Sequence, residues 1–301
     1  MIWTTKTIEH WLDDHVAAER DFKIMSLLSP DLGEWDPTPP VVGGMRNADI
    51  VLQMTNEEME ENIKFIKGGY RDTLMSIITG QDKTSRFNGT VSANTYKNET
   101  MDRIWKTVGD NRFNILLVSR AVDMRMVSSI EMIGHAMKRE EIVCQYVAHN
   151  KESAEYTIYL IAELIRRLPY HLQPGIRNIS KYSIDFANGS KIIASEKDAS
   201  QGFTTNFLSI EMHSEKVMAN FTTTLMAQRN SRVIAWDTPS DKNDFFTKIE
   251  GSDTLYHTDI FPMESEEYIE MIGRVAYAKE YLCLRPGTPE YRDFVLDEIL
   301  D

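Results

Sequence analysis

The chain has 301 residues, of which 42% are hydrophobic and 26% charged, and its formal net charge is −13. That length can bury a substantial core, and the composition is ordinary for a globular fold. The acidic balance disfavours autonomous binding to nucleic acid: the basic residues are scattered, and the densest pair, Lys138-Arg139, runs straight into Glu140-Glu141. No apolar run approaches the roughly 18 residues of a membrane span, and MIWTTKTIEHWLDD lacks the apolar centre of a signal peptide, so no membrane partner is expected.

In chain order, residues 4–28 read as a helix, with Ile8, Trp11, Leu12, Val16 and Phe22 at roughly helical spacing. Residues 29–44, SPDLGEWDPTPPVVGG, carry four prolines and three glycines and read as an extended arm. Trp35 in that arm either packs back on its own domain or anchors on another protein. Thr55 and Glu58 have the spacing of a capping box, opening a helix that stops at Gly68-Gly69. A short helix near 72–78 follows. Another runs from about Glu99 to Val108. The acidic run Glu57–Glu61 reads as a solvated face.

From Phe113 the pattern alternates. Strands are expected over 115–118, 142–147, 206–210, 232–236 and 254–260. Helices are expected over about 124–137, 153–168, 216–227, 241–249, 265–282 and 290–300. Residues 182–186 and 191–194 read as a hairpin joined by Asn188-Gly189, the favoured two-residue turn. Alternating strands and helices imply a mostly parallel sheet covered by helices. The expected division is 1–50 as helix and arm, 51–285 as core and 286–301 as helical tail. Cys144 and Cys283 form no CxxC and read as buried, reduced thiols.

The strand–turn–helix at FNILLVSRAVDMRM is where a phosphate loop would sit, yet no glycine lies between Ser119 and Ser128. Over roughly residues 97–285 the wording resembles the ATPase domain of myophage-type terminase large subunits, the phage DNA-packaging motor. The pieces that carry this are LLVSRA, VAHNKESAE, LIRRLPYHLQPGI, SIDFANGSKI, ASEKDASQGFTTNFLSIE and SRVIAWDTPSD. The resemblance implies an α/β fold of the P-loop NTPase-like, ASCE type.

It also implies a loop like S-R-Q-x-G-K-T, whose lysine reaches the phosphates and whose hydroxyl holds Mg²⁺. Ser119 and Arg120 match that loop. Its glycine position is Asp123, its lysine position Met124 and its hydroxyl position Arg125. The Asp-Glu that ends the later motif strand, one residue for Mg²⁺ and one for water, is Glu211-Met212. The adenine-sensing glutamine falls near Met101 and the arginine finger near Leu160. Arg120 reads either as a retained phosphate contact or as a structural arginine pairing with an acid. His149 falls at the carboxyl edge of the sheet. His213 and Glu215 with Glu211 make a weak metal pattern that lacks a fourth ligand.

The expectation is a terminase-like pseudo-ATPase without cofactor and without the nuclease domain. Its partners would be phage packaging or virion proteins: terminase, portal or capsid. Its location would be the cytoplasm of the infected bacterial host, or the virion. The alternative is a divergent packaging ATPase in which Arg125 replaces the lysine, Glu211 holds Mg²⁺, ATP still binds, and a partner subunit completes the site.

Overall fold

In the computed structural model, residues 55–79, 99–169, 172–196, 205–211, 231–239, 246, 256–264, 269 and 271–296 are described. The expected N-terminal helix, the arm with Trp35, the helix over 216–227 and all of 241–249 except Phe246 lie outside them. Among the described residues the helices are α1 Asn56–Lys64, α2 Tyr70–Thr79, α3 Glu99–Asp110, α4 Met124–Lys138, α5 Lys151–Arg167, α6 Arg274–Glu280 and α7 Pro289–Leu296. The strands are β1 Phe113–Val118, β2 Val143–Ala148, β3 Ile176–Ile179, β4 Ser183–Phe186, β5 Lys191–Glu196, β6 Phe207–Glu211, β7 Arg232–Asp237 and β8 His257–Phe261.

The strands form one mixed sheet in the order β3-β4-β5-β2-β6-β7-β1-β8. β1 is parallel to β7 and β8, whereas β4 is antiparallel to β3 and β5. Taken alone, β1, β2, β6, β7 and β8 lie in the order β2-β6-β7-β1-β8. This is the ASCE-type order, so the fold class is the one expected. β1 and β6 are buried along their whole length, which is why both read as unbroken apolar runs rather than alternating ones.

Contacts divide the described residues into two units. The first comprises the described parts of Met1–Gly80, Ser128–Tyr146 and Asn150–Phe207; the second comprises those of Gln81–Val127, Val147–His149 and Leu208–Asp301. In the first unit, Thr55 and Glu58 form the reciprocal capping box. The Thr55 N–H donates to Glu58 Oε2 at 2.8 Å, and the Glu58 N–H donates to Thr55 Oγ1 at 3.2 Å. The first helix ends at Gly68-Gly69 as expected: Gly68 is non-helical (φ 159°, ψ −14°), and the separate helix α2 begins at Tyr70.

α2 is bolted to α4 through a buried carboxylate. Arg71 donates to both Glu131 oxygens, at 2.6 and 3.1 Å, and the Tyr70 hydroxyl donates to Oε2 at 3.2 Å. A buried charge is tolerable only when so paired. Gly134 makes room for this bolt: a Cβ there would lie 2.3 Å from the Tyr70 ring.

The 182–194 hairpin is present, but its turn differs from the expectation. Gly189 has φ 81° and Asn188 does not have a positive φ. The Gly189 N–H donates to Phe186 O at 3.1 Å, and the Phe186 N–H donates to Ser190 O at 2.8 Å. This is a three-residue loop closed by a left-handed glycine, not a two-residue turn. The loop frees the buried Asn188 side chain to serve the carboxyl end of α4. Its amide donates to Ala136 O at 2.7 Å and Arg139 O at 2.9 Å, and the Ser190 hydroxyl donates to Arg139 O at 2.8 Å.

The Q-P-G-I stretch holds a strand that the sequence reading left out, β3. It pairs with β4 and exposes Arg177 and Asn178 at the sheet edge. Just before it, Gln173 donates to Arg166 O at 3.2 Å and Leu168 O at 2.9 Å, closing the end of α5.

The second unit is centred on Phe113, Ile115, Leu117, Val147, Leu208, Ile210, Val233, Ala235 and Phe246, with Tyr256 and Ile260 packed against them. α3 turns Met101, Ile104 and Val108 inward. Arg232 closes its carboxyl end by donating to Val108 O at 2.8 Å and Gly109 O at 3.0 Å. The helix expected over 265–282 is broken at Gly273 (φ 80°), before α6 begins. Both cysteines are buried and free. No helix among the described residues is long and apolar enough to cross a membrane.

Asn188→Ala removes the only donor that Ala136 O receives from that loop, while Arg139 O keeps Ser190. A loss of about 1–3 kcal/mol is expected for a buried acceptor left unsatisfied. Urea unfolding of the variant checks this; an unchanged midpoint would show that the loop does not hold α4.

Candidate functional site

The candidate site lies in the second unit, at the carboxyl ends of β1, β2 and β6, the edge where open α/β sheets bind ligands. β1 ends in Ser119, which is buried. Its N–H donates to Phe261 O at 2.9 Å, its hydroxyl accepts from the Ala121 N–H at 3.3 Å, and its carbonyl accepts from the Val122 N–H at 3.0 Å. The Ser119 hydroxyl oxygen and carbonyl thus hold the turn, and its N–H ties the turn to β8. Arg120 points away to α6: its guanidinium donates to Glu280 Oε2 at 2.7 Å and its N–H to Glu280 O at 2.6 Å. The side chain is mostly exposed. Pairing with an acid is one of the two readings offered by the sequence.

Asp123 begins α4 as its N-cap. Its Oδ1 accepts from the Met126 N–H at 3.1 Å and its carbonyl accepts from the Val127 N–H at 3.2 Å. Aspartate is a preferred cap because an early amide of a helix has no partner inside the helix. Met124 follows, with 1% of its surface exposed. Met124, which the sequence resemblance aligns with the lysine of a phosphate loop, is therefore a core side chain.

Arg125 points to the end of β6. Its guanidinium donates to Glu211 Oε1 at 3.1 Å, and His149 Nδ1 lies 3.2 Å from the same oxygen. The Glu211 side chain is only 10% exposed, so its charge depends on these partners. His149 follows the last residue of β2 and precedes Asn150, which accepts from the Ser153 N–H at 2.8 Å and caps α5. Glu211 thus lies between the Arg125 guanidinium and the His149 ring, and the charges of Arg125 and Glu211 both act on Asp123.

Burial pushes the Asp123 carboxyl above the ordinary carboxylate range. The nearby Glu211 charge acts in the same direction, whereas the Met126 N–H and the Arg125 charge pull it down. The Arg120 guanidinium is held in its charged form by Glu280.

Ser119, Asp123, Met124, Arg125 and Glu211 thus gather at one strand–helix junction, while Arg120 is turned outward. His149 belongs to the group, and the resemblance assigned it no ligand. Met101 and Leu160, near which the resemblance puts the glutamine and the arginine finger, are buried apolar residues. Met212, His213 and Glu215 lie outside the described residues. Among the described residues no cluster of three histidine, cysteine or acidic side chains could hold a metal ion.

No protein-family model and no curated protein matches the chain. Among solved structures it is similar to the large terminase ATPase domain of Thermus phage P74-26, at 14% identity and a TM-score of 0.48, over 62% of this chain and 98% of that one. It is also similar to the large terminase of a second, thermophilic bacteriophage, at 12% identity and a TM-score of 0.45, covering 70% of this chain and 52% of that one. The same terminase in complex with ADP gives 13% identity and a TM-score of 0.46 over the same shares. The chain spans about half the length of this second terminase.

The raised Asp123 carboxyl has a definite sign. The folded chain holds the proton to higher pH than the unfolded chain does, so this group's contribution to stability falls as pH rises from the ordinary carboxylate range through the raised value. Asp123→Asn, which keeps a capping oxygen, should lose less stability than the parent as pH rises from about 4, the ordinary carboxylate range. Urea unfolding across that rise in pH measures the difference, and parallel curves for the two proteins would contradict it.

Proposed function

We propose that this chain is a terminase-like phage protein that works through contacts with packaging or virion proteins and does not hydrolyse ATP. The observation that carries the reading is the start of α4. There the Asp123 carboxyl occupies the helix amide and Met124 is buried at the lysine position. A phosphate loop works by offering free backbone N–H groups and a mobile ammonium to the β- and γ-phosphates. This junction has spent the amide on its own side chain and has no ammonium. The strand order and the sequence wording support the terminase-like half of the reading. The net charge of −13 favours protein partners over nucleic acid.

A second reading has one observation in its favour. Arg125 and Glu211 sit together at the carboxyl edge of the sheet, 3.1 Å apart. A nucleotide could part them, with Arg125 turning to the phosphates and Glu211 to Mg²⁺. The chain would then be a divergent packaging ATPase completed by a partner subunit.

Calorimetric titration of ATP with Mg²⁺ into the pure protein separates the two. No binding heat and no phosphate release are expected. A micromolar binding heat that disappears in Arg125→Met and Glu211→Gln would establish the ATPase reading instead. Restoring Gly-Lys-Thr by Asp123→Gly, Met124→Lys and Arg125→Thr asks whether the surrounding cavity survives, and return of ATP binding would show that it does.

A further inference from the structure

We infer that the phosphate-loop region is filled by the protein's own side chains, as a built-in substitute for ligand. The Asp123 carboxyl takes the α4 amide that a phosphate oxygen would take. The Arg125 guanidinium takes the Glu211 carboxylate that a metal cation would take. This deepens the non-hydrolysing reading above and rests on it: the site is self-occupied rather than merely worn away.

Two independent contacts carry the inference. At the helix, Asp123 Oδ1 lies 3.1 Å from the Met126 nitrogen and supplies a fixed acceptor at the positive end of the α4 dipole. At the strand, Glu211 is held by Arg125 at 3.1 Å and by His149 at 3.2 Å, with its side chain 90% withdrawn from solvent. A carboxylate at the end of a buried strand needs a cation beside it, and Arg125 supplies one permanently. The two contacts also bear on each other, because the Arg125 and Glu211 charges both act on the Asp123 carboxyl. A loop without its ligand leaves an early helix amide and a buried strand-end carboxylate to be satisfied from elsewhere. Here both are satisfied, and the groups that do so come from positions 123 and 125 of the same turn. Helix and strand edge are thereby held in one arrangement with no dependence on nucleotide.

The test uses inorganic pyrophosphate as the probe and the full chain as the protein. Wild type, Asp123→Gly and Asp123→Asn are titrated calorimetrically, and their unfolding midpoints are read with and without pyrophosphate. Glycine is tolerated at a helix N-cap, so the first variant folds. The asparagine variant keeps the cap and removes the charge.

The expected result is no binding to wild type or to Asp123→Asn, and binding to Asp123→Gly tighter by about tenfold or more. Adding Arg125→Gln to Asp123→Gly should weaken that binding, because the anion loses its nearest cation. Equal binding to the glycine and asparagine variants would overturn the inference, since charge repulsion alone would then close the site. Binding to wild type, or to none of the variants, would overturn it as well. These outcomes are separate from the ATP titration: an unresponsive Asp123→Gly removes the self-occupied site but leaves a wild type that ignores ATP as it was.

Discussion

α4 is buried almost from end to end, and a buried helix cannot leave its terminal N–H and C=O groups to water. That constraint organises much of what surrounds it. At its start the acceptor is Asp123; at its end the donors are Asn188 and Ser190; at its middle Glu131 draws in Tyr70 and Arg71. In a fold that binds nucleotide at this junction, phosphate oxygens satisfy the first of these demands. Here no such ligand is needed for the ends of the helix to be paired, because the chain closes both with its own side chains.

The same view explains which parts of the sequence resemble packaging ATPases and which do not. In FANGS, Phe186 is core, Asn188 caps α4, Gly189 takes the left-handed turn, and Ser190 bonds the helix end. In LPYHLQPGI, Leu168 and Leu172 are buried and Gln173 closes α5. The Asn150 of VAHNK caps α5. These residues build helix ends and turns. The positions that depart from the pattern, Asp123, Met124 and Arg125, are those that would handle phosphate. Likeness in the first group speaks for the fold, and difference in the second speaks about the chemistry.

Much of the fold could be read directly. Long apolar runs such as Ile115–Val118 and strongly periodic stretches such as 153–168 specify their own elements. The capping box at Thr55 and Glu58 is local and reciprocal. β3 escaped because it has four residues, two of them the exposed Arg177 and Asn178 of a sheet edge, with no apolar run to mark it. The turn at Asn188-Gly189 was misread because the Asn188 side chain answers to a helix some fifty residues earlier, a demand no local rule contains. Within the site, Asp123 as an N-cap was legible from residue type and place alone. The Arg125–Glu211 pair spans 86 positions of sequence and could be found only in three dimensions.

Cys144 and Cys283 are buried, with Cys144 in the first unit and Cys283 in the second. Burial raises the Cys144 thiol well above its ordinary range and pushes Cys283 up to about 12. Only a thiolate attacks an electrophilic thiol reagent, so neither cysteine reacts while its surroundings stay closed. The chain therefore carries one native chemical clock in each unit. The rate at which each sulfur becomes modifiable reports how often its own neighbourhood opens, without any label being introduced.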